Sequence, residues 1–166
     1  MTSAPAEHAV YVAAGSNIEP ARHLRQALDL LAAQFPGLVA SRAYANAAVG
    51  FEGEEFINLV VGFRTPLALP ELLVRLHAIE TACGRPREAA KWAPRSMDLD
   101  VLLYGEVVGE FPGARLPRPD LVRRAFMLGP LAEIAPDVRH PTDGRTIAEI
   151  WAAFDRAAHV LRPVAV

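Results

Sequence analysis

Asp98 and Asp100 stand two positions apart in the otherwise apolar run Met97-Asp98-Leu99-Asp100-Val101-Leu102-Leu103-Tyr104. A strand's period of two sends Leu99, Val101 and Leu103 to one face and both aspartates to the other, with their alpha carbons about 7 Å apart. Two ionised carboxylates so close, without a cation, would cost a few kcal/mol at an effective dielectric of about 20. Hard oxygen ligands with no partnering His or Cys favour Mg2+, which keeps waters and shares its shell with substrate phosphates. The plainer alternative is the wet face of an amphipathic strand. Against it, aspartate is a poor strand former, and conflicts with local propensity concentrate at functional sites.

Cations flank this strand on both sides. Between positions 85 and 95, Arg85, Arg87, Lys91 and Arg95 face one acid, Glu88; between 115 and 124, Arg115, Arg118, Arg123 and Arg124 face one acid, Asp120. The chain as a whole carries a formal charge of -2, so the islands are local. Solvated loop arginines are the ordinary explanation for either island alone. Guanidinium groups beside acidic metal ligands are, however, what phosphoryl transfer requires, because arginine holds phosphate oxygens in bidentate pairs. ATP at about -4 with two aspartates is nearly neutralised by two Mg2+ ions and leaves roughly two charges for arginines.

Other chemistries lack their residues. No Gly-Lys-Ser or Gly-Lys-Thr P-loop and no Gly-x-Gly-x-x-Gly loop occurs. The five histidines show no metal-binding spacing, and read from spacing alone they carry no catalysis. Cys83 is the only cysteine, which excludes an internal disulfide and fits a reducing compartment. No run of 18 apolar residues and no charged leader with an apolar core is present, so a cytoplasmic protein without membrane contact is expected.

The elements that must position these groups follow from periodicity. Residues 8–14 read as a buried strand ending at the turn Gly15-Ser16-Asn17, and a helix follows from Pro20 to Phe35 with Leu24, Leu28 and Leu31 on its stripe. Residues 38–44 and 56–63 read as strands, and a second helix runs from Pro70 to Gly84. The aspartate strand, 97–104, turns at Gly105-Glu106 toward a short partner at 107–111. Residues 126–135 form a short helix, and Thr146 with Glu149 opens a last one as a capping box. Two strand-helix-strand units predict an α+β, ferredoxin-like sandwich: a mainly antiparallel sheet with helices on one face, and an open face overhung by loops at 45–55 and 85–96. At 166 residues the chain makes one domain, with 1–8 and 159–166 expected as flexible tails.

The stretch from Gly84 to Tyr104, in which Trp92-Ala93-Pro94-Arg95 is followed by Asp98-Leu99-Asp100, resembles the signature of the 6-hydroxymethyl-7,8-dihydropterin pyrophosphokinases. Gly15-Ser16-Asn17, Asn58, Pro117 and Arg124-Ala125-Phe126-Met127-Leu128 extend the likeness over residues 9–154. The resemblance implies transfer of the diphosphate of ATP to a pterin alcohol, in folate biosynthesis, by a monomer that binds no nucleic acid. It implies two Mg2+ ions on Asp98 and Asp100, Arg85 and Arg95 on the transferring group, and Arg87 and Arg124 on phosphates. His77, Glu80, Trp92 and the backbone around Val101 and Arg115 would line the ATP side. Phe56 and Phe126 would stack on the pterin, with Asn58 on its polar edge; closure of the 85–96 loop would bring its arginines in.

Three positions depart from the family's pattern. The segment 45–50, with Asn46 and Val49 as the pterin contacts, lacks the usual threonine and prolines; Phe56 replaces a common tyrosine; Arg118 stands where histidine is usual and could keep a phosphate contact as a permanent charge. The altered loop leaves open a paralogous enzyme acting on another pterin. A second alternative is a nucleic-acid-binding ferredoxin-like module, which the two aspartates oppose because they repel a phosphate backbone.

Overall fold

The β-branched and apolar opening run forms β1 (His8–Ser16), and the computed structural model, which describes residues 6–46, 55–84 and 97–166, continues with α1 (Pro20–Gln34), β2 (Val39–Ala40) and β3 (Ala43–Asn46). There follow β4 (Phe56–Thr65), α2 (Leu69–Ala82), β5 (Asp98–Tyr104), β6 (Gly109–Phe111) and β7 (Ala114–Leu116). A 3-10 turn at Pro119–Val122, α3 (Ala125–Ile134), α4 (Ile147–Ala153) and β8 (Arg162–Val164) complete the chain. The sheet order is β5-β1-β4-β3-β8, with β2 also on β4, and every pairing is antiparallel. This is the ferredoxin-like arrangement expected, with a further strand on its edge.

Both helices after the first strands bury their stripes on one sheet face. Leu24 and Leu31 of α1 and Leu72, Leu76 and Ile79 of α2 close over Val10, Val12, Leu59, Val61, Leu99 and Val101. Removing each such side chain from water contributes ~1.5–3 kcal/mol. The opposite face, expected to stay open, is instead largely covered: Leu128 and Leu131 of α3 and Ile147 and Ile150 of α4 pack on Ala13, Val60 and Leu103. The apolar stripe of residues 126–135 needs such a partner, and the sheet's second face is the surface available to it.

Several local readings are corrected. Gly15 and Ser16 lie within β1, opposite Asn58 and Ile57, rather than in a turn. The strand expected at 38–44 is two strands because Ser41 interrupts it; its Oγ accepts the Val60 N–H at 2.9 Å while its own N–H donates to the Val60 carbonyl at 2.8 Å. Residues 109–111 pair with β7, not with β5. The expected tails also contribute strands: His8 opens β1, and β8 pairs with β3 at Ala43–Val164, Tyr44–Pro163 and Ala45–Arg162.

A bulge in β5 matters most for the site. The register runs Val12–Val101 and then Tyr11–Leu103, skipping Leu102. The extra residue turns Leu103 away from Leu99 and Val101 and onto the α3 face, contrary to unbroken alternation. The carbonyl of Leu102 accepts the N–H of Arg118 at 3.0 Å. One extra residue thus ties the segment after β7 beside the aspartates.

Candidate active site

Alternation before the bulge keeps Asp98 and Asp100 on one face of β5, and both line a cavity of about 580 Å3. That volume suits a small-molecule site. Ala13 and Gly15, their neighbours across the β1 ladder, form part of the floor. Arg118 bridges two carboxylates: its Nη1 lies 3.5 Å from Asp100 Oδ1 and its Nη2 3.7 Å from Asp120 Oδ2. Its Nε is buried with no hydrogen-bond partner among the described residues.

Glu80 fixes the α2 side. Its side chain is buried, one carboxylate oxygen accepts the Leu99 N–H at 2.8 Å, and the other lies 3.0 Å from Nδ1 of the exposed His77. Leu99 therefore points its N–H to the outer edge of β5, and the strand's period of two sends the backbone of Val101 the same way. His77, Glu80 and Val101, which the resemblance assigns to the nucleotide, all line the cavity. Arg115 does not line it and instead lies 3.4 Å from Glu110 on the neighbouring strand.

At the other end, Phe56 at the start of β4 and Phe126 in the first turn of α3 both line the cavity, with Arg124 immediately before that helix. Asn58 donates to the Asn46 side-chain oxygen across the β3–β4 ladder, and both face the cavity. A Cβ on Gly15 would meet Asn58 Oδ1 at 2.5 Å, so the glycine makes the space in which the amide turns toward the cavity.

The structure thus brings together Asn46, Phe56, Asn58, His77, Glu80, Asp98, Asp100, Val101, Arg118, Arg124 and Phe126. Arg85, Arg87, Trp92, Arg95 and Val49 lie outside the described residues, as does the expected closure of the 85–96 loop. Sequence reasoning gave no role to Asp120, to Arg123, or to His159, Val160 and Leu161, which also line the cavity. Asp120 and Arg123 belong to the second basic island and could have been inferred from it. The last three follow only from the pairing of β8.

The donor set fits Mg2+. Asp98 and Asp100 offer hard oxygen ligands to one cavity, and a magnesium ion held by two carboxylates takes the rest of its shell from phosphate oxygens and water.

Sequence comparison points to one family. A sequence model of the 7,8-dihydro-6-hydroxymethylpterin-pyrophosphokinases matches residues 11–136. A 2-amino-4-hydroxy-6-hydroxymethyldihydropteridine pyrophosphokinase of Pseudomonas aeruginosa is 43% identical over 149 residues, 87% of this chain and 90% of that protein. One from Synechocystis is 38% identical over 154 residues, 91% of this chain and 78% of that protein. Among solved structures, the Plasmodium falciparum HPPK-DHPS wild type with pteroate superposes with a TM-score of 0.71 at 12% identity, over 92% of this chain but 43% of that one, and so shares the fold. The chain is a member of the 7,8-dihydro-6-hydroxymethylpterin-pyrophosphokinase family.

Proposed function

We propose that this chain performs the reaction for which its family is named, moving the terminal diphosphate of ATP onto the hydroxymethyl oxygen of 6-hydroxymethyl-7,8-dihydropterin and releasing AMP. One observation carries the reading: Asp98, Asp100, Arg118, Arg124, Phe56 and Phe126 all line a single cavity. Acidic metal ligands, guanidinium groups and a stacking pair are the three things a polyphosphate and a flat heterocycle need from one site.

Asp98 and Asp100 would hold the two Mg2+ ions, which when bound neutralise the polyphosphate and polarise the phosphorus under attack. The residues of the chain supply position. Arg118 and Arg124 hold phosphate oxygens, and Glu80 fixes the β5 edge against which the nucleotide lies. Phe56 and Phe126 stack on the pterin, while Asn58, oriented by Asn46, reads its hydrogen-bonding edge. With both substrates so held, the hydroxymethyl oxygen bonds to the beta phosphorus, the bond from that phosphorus to the alpha-phosphate bridging oxygen breaks, and the hydroxyl proton passes to solvent. Arg85 and Arg95 serve the transferring group, Arg87 a phosphate, Trp92 the nucleotide side, Val49 the pterin and Arg115 the nucleotide through its backbone. The enzyme works as a cytoplasmic monomer; no helix among the described residues is long and apolar enough to cross a membrane.

The test is nucleotide analysis after incubation with ATP, Mg2+ and the pterin alcohol. The reading expects AMP in step with pterin consumption; ADP as the product, or no pterin-dependent turnover, would contradict it. A panel of pterin alcohols in the same assay decides whether the altered 45–50 segment has changed the preferred ring.

A further inference from the structure

The last described segment of the chain is built into the cavity wall. His159, Val160 and Leu161 line it beyond the reach of the family match, which ends at residue 136. Three independent contacts hold them there. β8 pairs with β3, placing Arg162 opposite Ala45, next to the cavity-lining Asn46. Arg162 Nη2 donates to Glu55 Oε1 at 2.7 Å, directly before Phe56. Leu161 sits in a notch on α3: a Cβ on Gly129 would meet Leu161 Cδ1 and the Trp151 ring at 3.0 Å. Gly129 lies three residues beyond Phe126 and therefore on the neighbouring turn of the same helix face.

The sheet order fixes which part of a ligand this wall can meet. β5, with the aspartates, is at one edge of the sheet, and β8 is at the other, four strand spacings or roughly 19 Å away. Leu161, the residue before β8, therefore stands toward the sheet edge opposite the aspartates. Val160 and Leu161 give this wall apolar side chains beside His159, and Val160, 76% exposed, is held at the rim of the cavity rather than packed into the core.

We propose that residues 159–164 form a strap closing the ring-binding end of the cavity, and that Leu161 is a specificity-determining residue in van der Waals contact with the edge of the heterocycle. The inference rests on the pterin lying between Phe56 and Phe126, as in the proposed function. The Arg162–Glu55 pair and the β3–β8 ladder hold the strap in place, and the contact of Leu161 with Gly129 seats it against α3.

Three chains test it: Leu161→Ala, Arg162→Gln, and a truncation after Ala158. Two readouts are taken, pterin binding by fluorescence in the presence of Mg2+ and α,β-methylene-ATP, and the separate KM values for ATP and pterin alcohol. Leu161→Ala is expected to weaken pterin binding about tenfold, the cost of one lost aliphatic contact, with the KM for ATP within about twofold of wild type. It should also accept a pterin alcohol bearing a 7-methyl group better, relative to the parent, than wild type does, which a merely structural leucine would not cause. Arg162→Gln should weaken pterin binding in the same direction, and the point variants carry the test if the truncation does not fold. Unchanged pterin binding in Leu161→Ala, or ATP and pterin KM values rising together, overturns the strap while leaving diphosphate transfer intact. A wild-type chain that binds pterin through Leu161 but yields no AMP would overturn the reaction and leave the strap standing.

Discussion

A methyl group at position 15 would lie 2.5 Å from the side-chain oxygen of Asn58, closer than such atoms approach. Gly15→Ala is therefore expected to push that amide out of the cavity, raise the KM for the pterin alcohol about tenfold and destabilise the fold by ~1–3 kcal/mol, as measured by steady-state kinetics and urea unfolding. A KM unchanged from wild type would mean that Asn58 does not read the ring. At this scale the sequence was informative wherever a residue's neighbours in the chain decide its direction. Asp98 and Asp100 share a face because they are two apart in one strand, and that much needs no tertiary information. Leu103 was misplaced because the bulge at Leu102 is set by pairing with β1, which local alternation does not record. Arg118 illustrates the same limit: its type suggested a phosphate contact, but its bridge between Asp100 and Asp120 depends on the carbonyl that the bulge turns outward.

Elements differ in how much of their stability is written locally. The capping box opening α4 was legible because both partners lie within four residues, and Glu149 N donates to Thr146 Oγ1 while Thr146 N donates to Glu149 Oε1, each at 3.1 Å. Just before it, the buried His140 organises a turn by accepting the N–H groups of Thr142 at 3.3 Å and Asp143 at 3.1 Å on Nδ1. Burial lowers the pKa of His140, with Asp143 opposing and Arg145 assisting. Because the folded state favours the neutral ring, the stability it contributes is present above about pH 6.5 and is lost as pH falls through that value. The urea midpoint is therefore expected to fall between pH 7 and pH 5, and His140→Gln, which keeps an acceptor but cannot titrate, should flatten that fall. Asp143, held down to about 2 by its hydrogen bonds from Arg145, adds its loss only below about pH 4, so the two steps separate. An equal fall in the variant would show that another group is responsible. By contrast, β8 was unreadable, since Arg162–Val164 is short and contains a proline, and only β3, more than a hundred residues earlier, makes it a strand.

On the scale of the molecule, two strand-helix-strand units were enough to give a mainly antiparallel, ferredoxin-like sheet, which the structure orders β5-β1-β4-β3. They could not give the second helical layer, because α3 and α4 follow the repeat and choose the uncovered face by elimination in space rather than by pattern. That layer changes the character of the site. An open sheet would expose Phe56, Asn58 and the aspartates along a broad surface, whereas α3 and the strap leave a bounded cavity with carboxylates at one edge and aromatic rings toward the other. On the proposed reading, that polarity orients the substrates, with polyphosphate toward β5 and heterocycle toward β3.

The central claim is that Asp98 and Asp100 form a metal-phosphate cradle. It is tested most directly by electron paramagnetic resonance titration of Mn2+, standing in for Mg2+, with α,β-methylene-ATP present. The wild-type chain is expected to bind two ions tightly in the presence of the nucleotide analogue and to lose at least one in Asp98→Asn and in Asp100→Asn, with AMP formation falling by about a thousandfold or more. Wild-type Mn2+ binding and turnover persisting in both variants, each shown to be folded, would contradict the account.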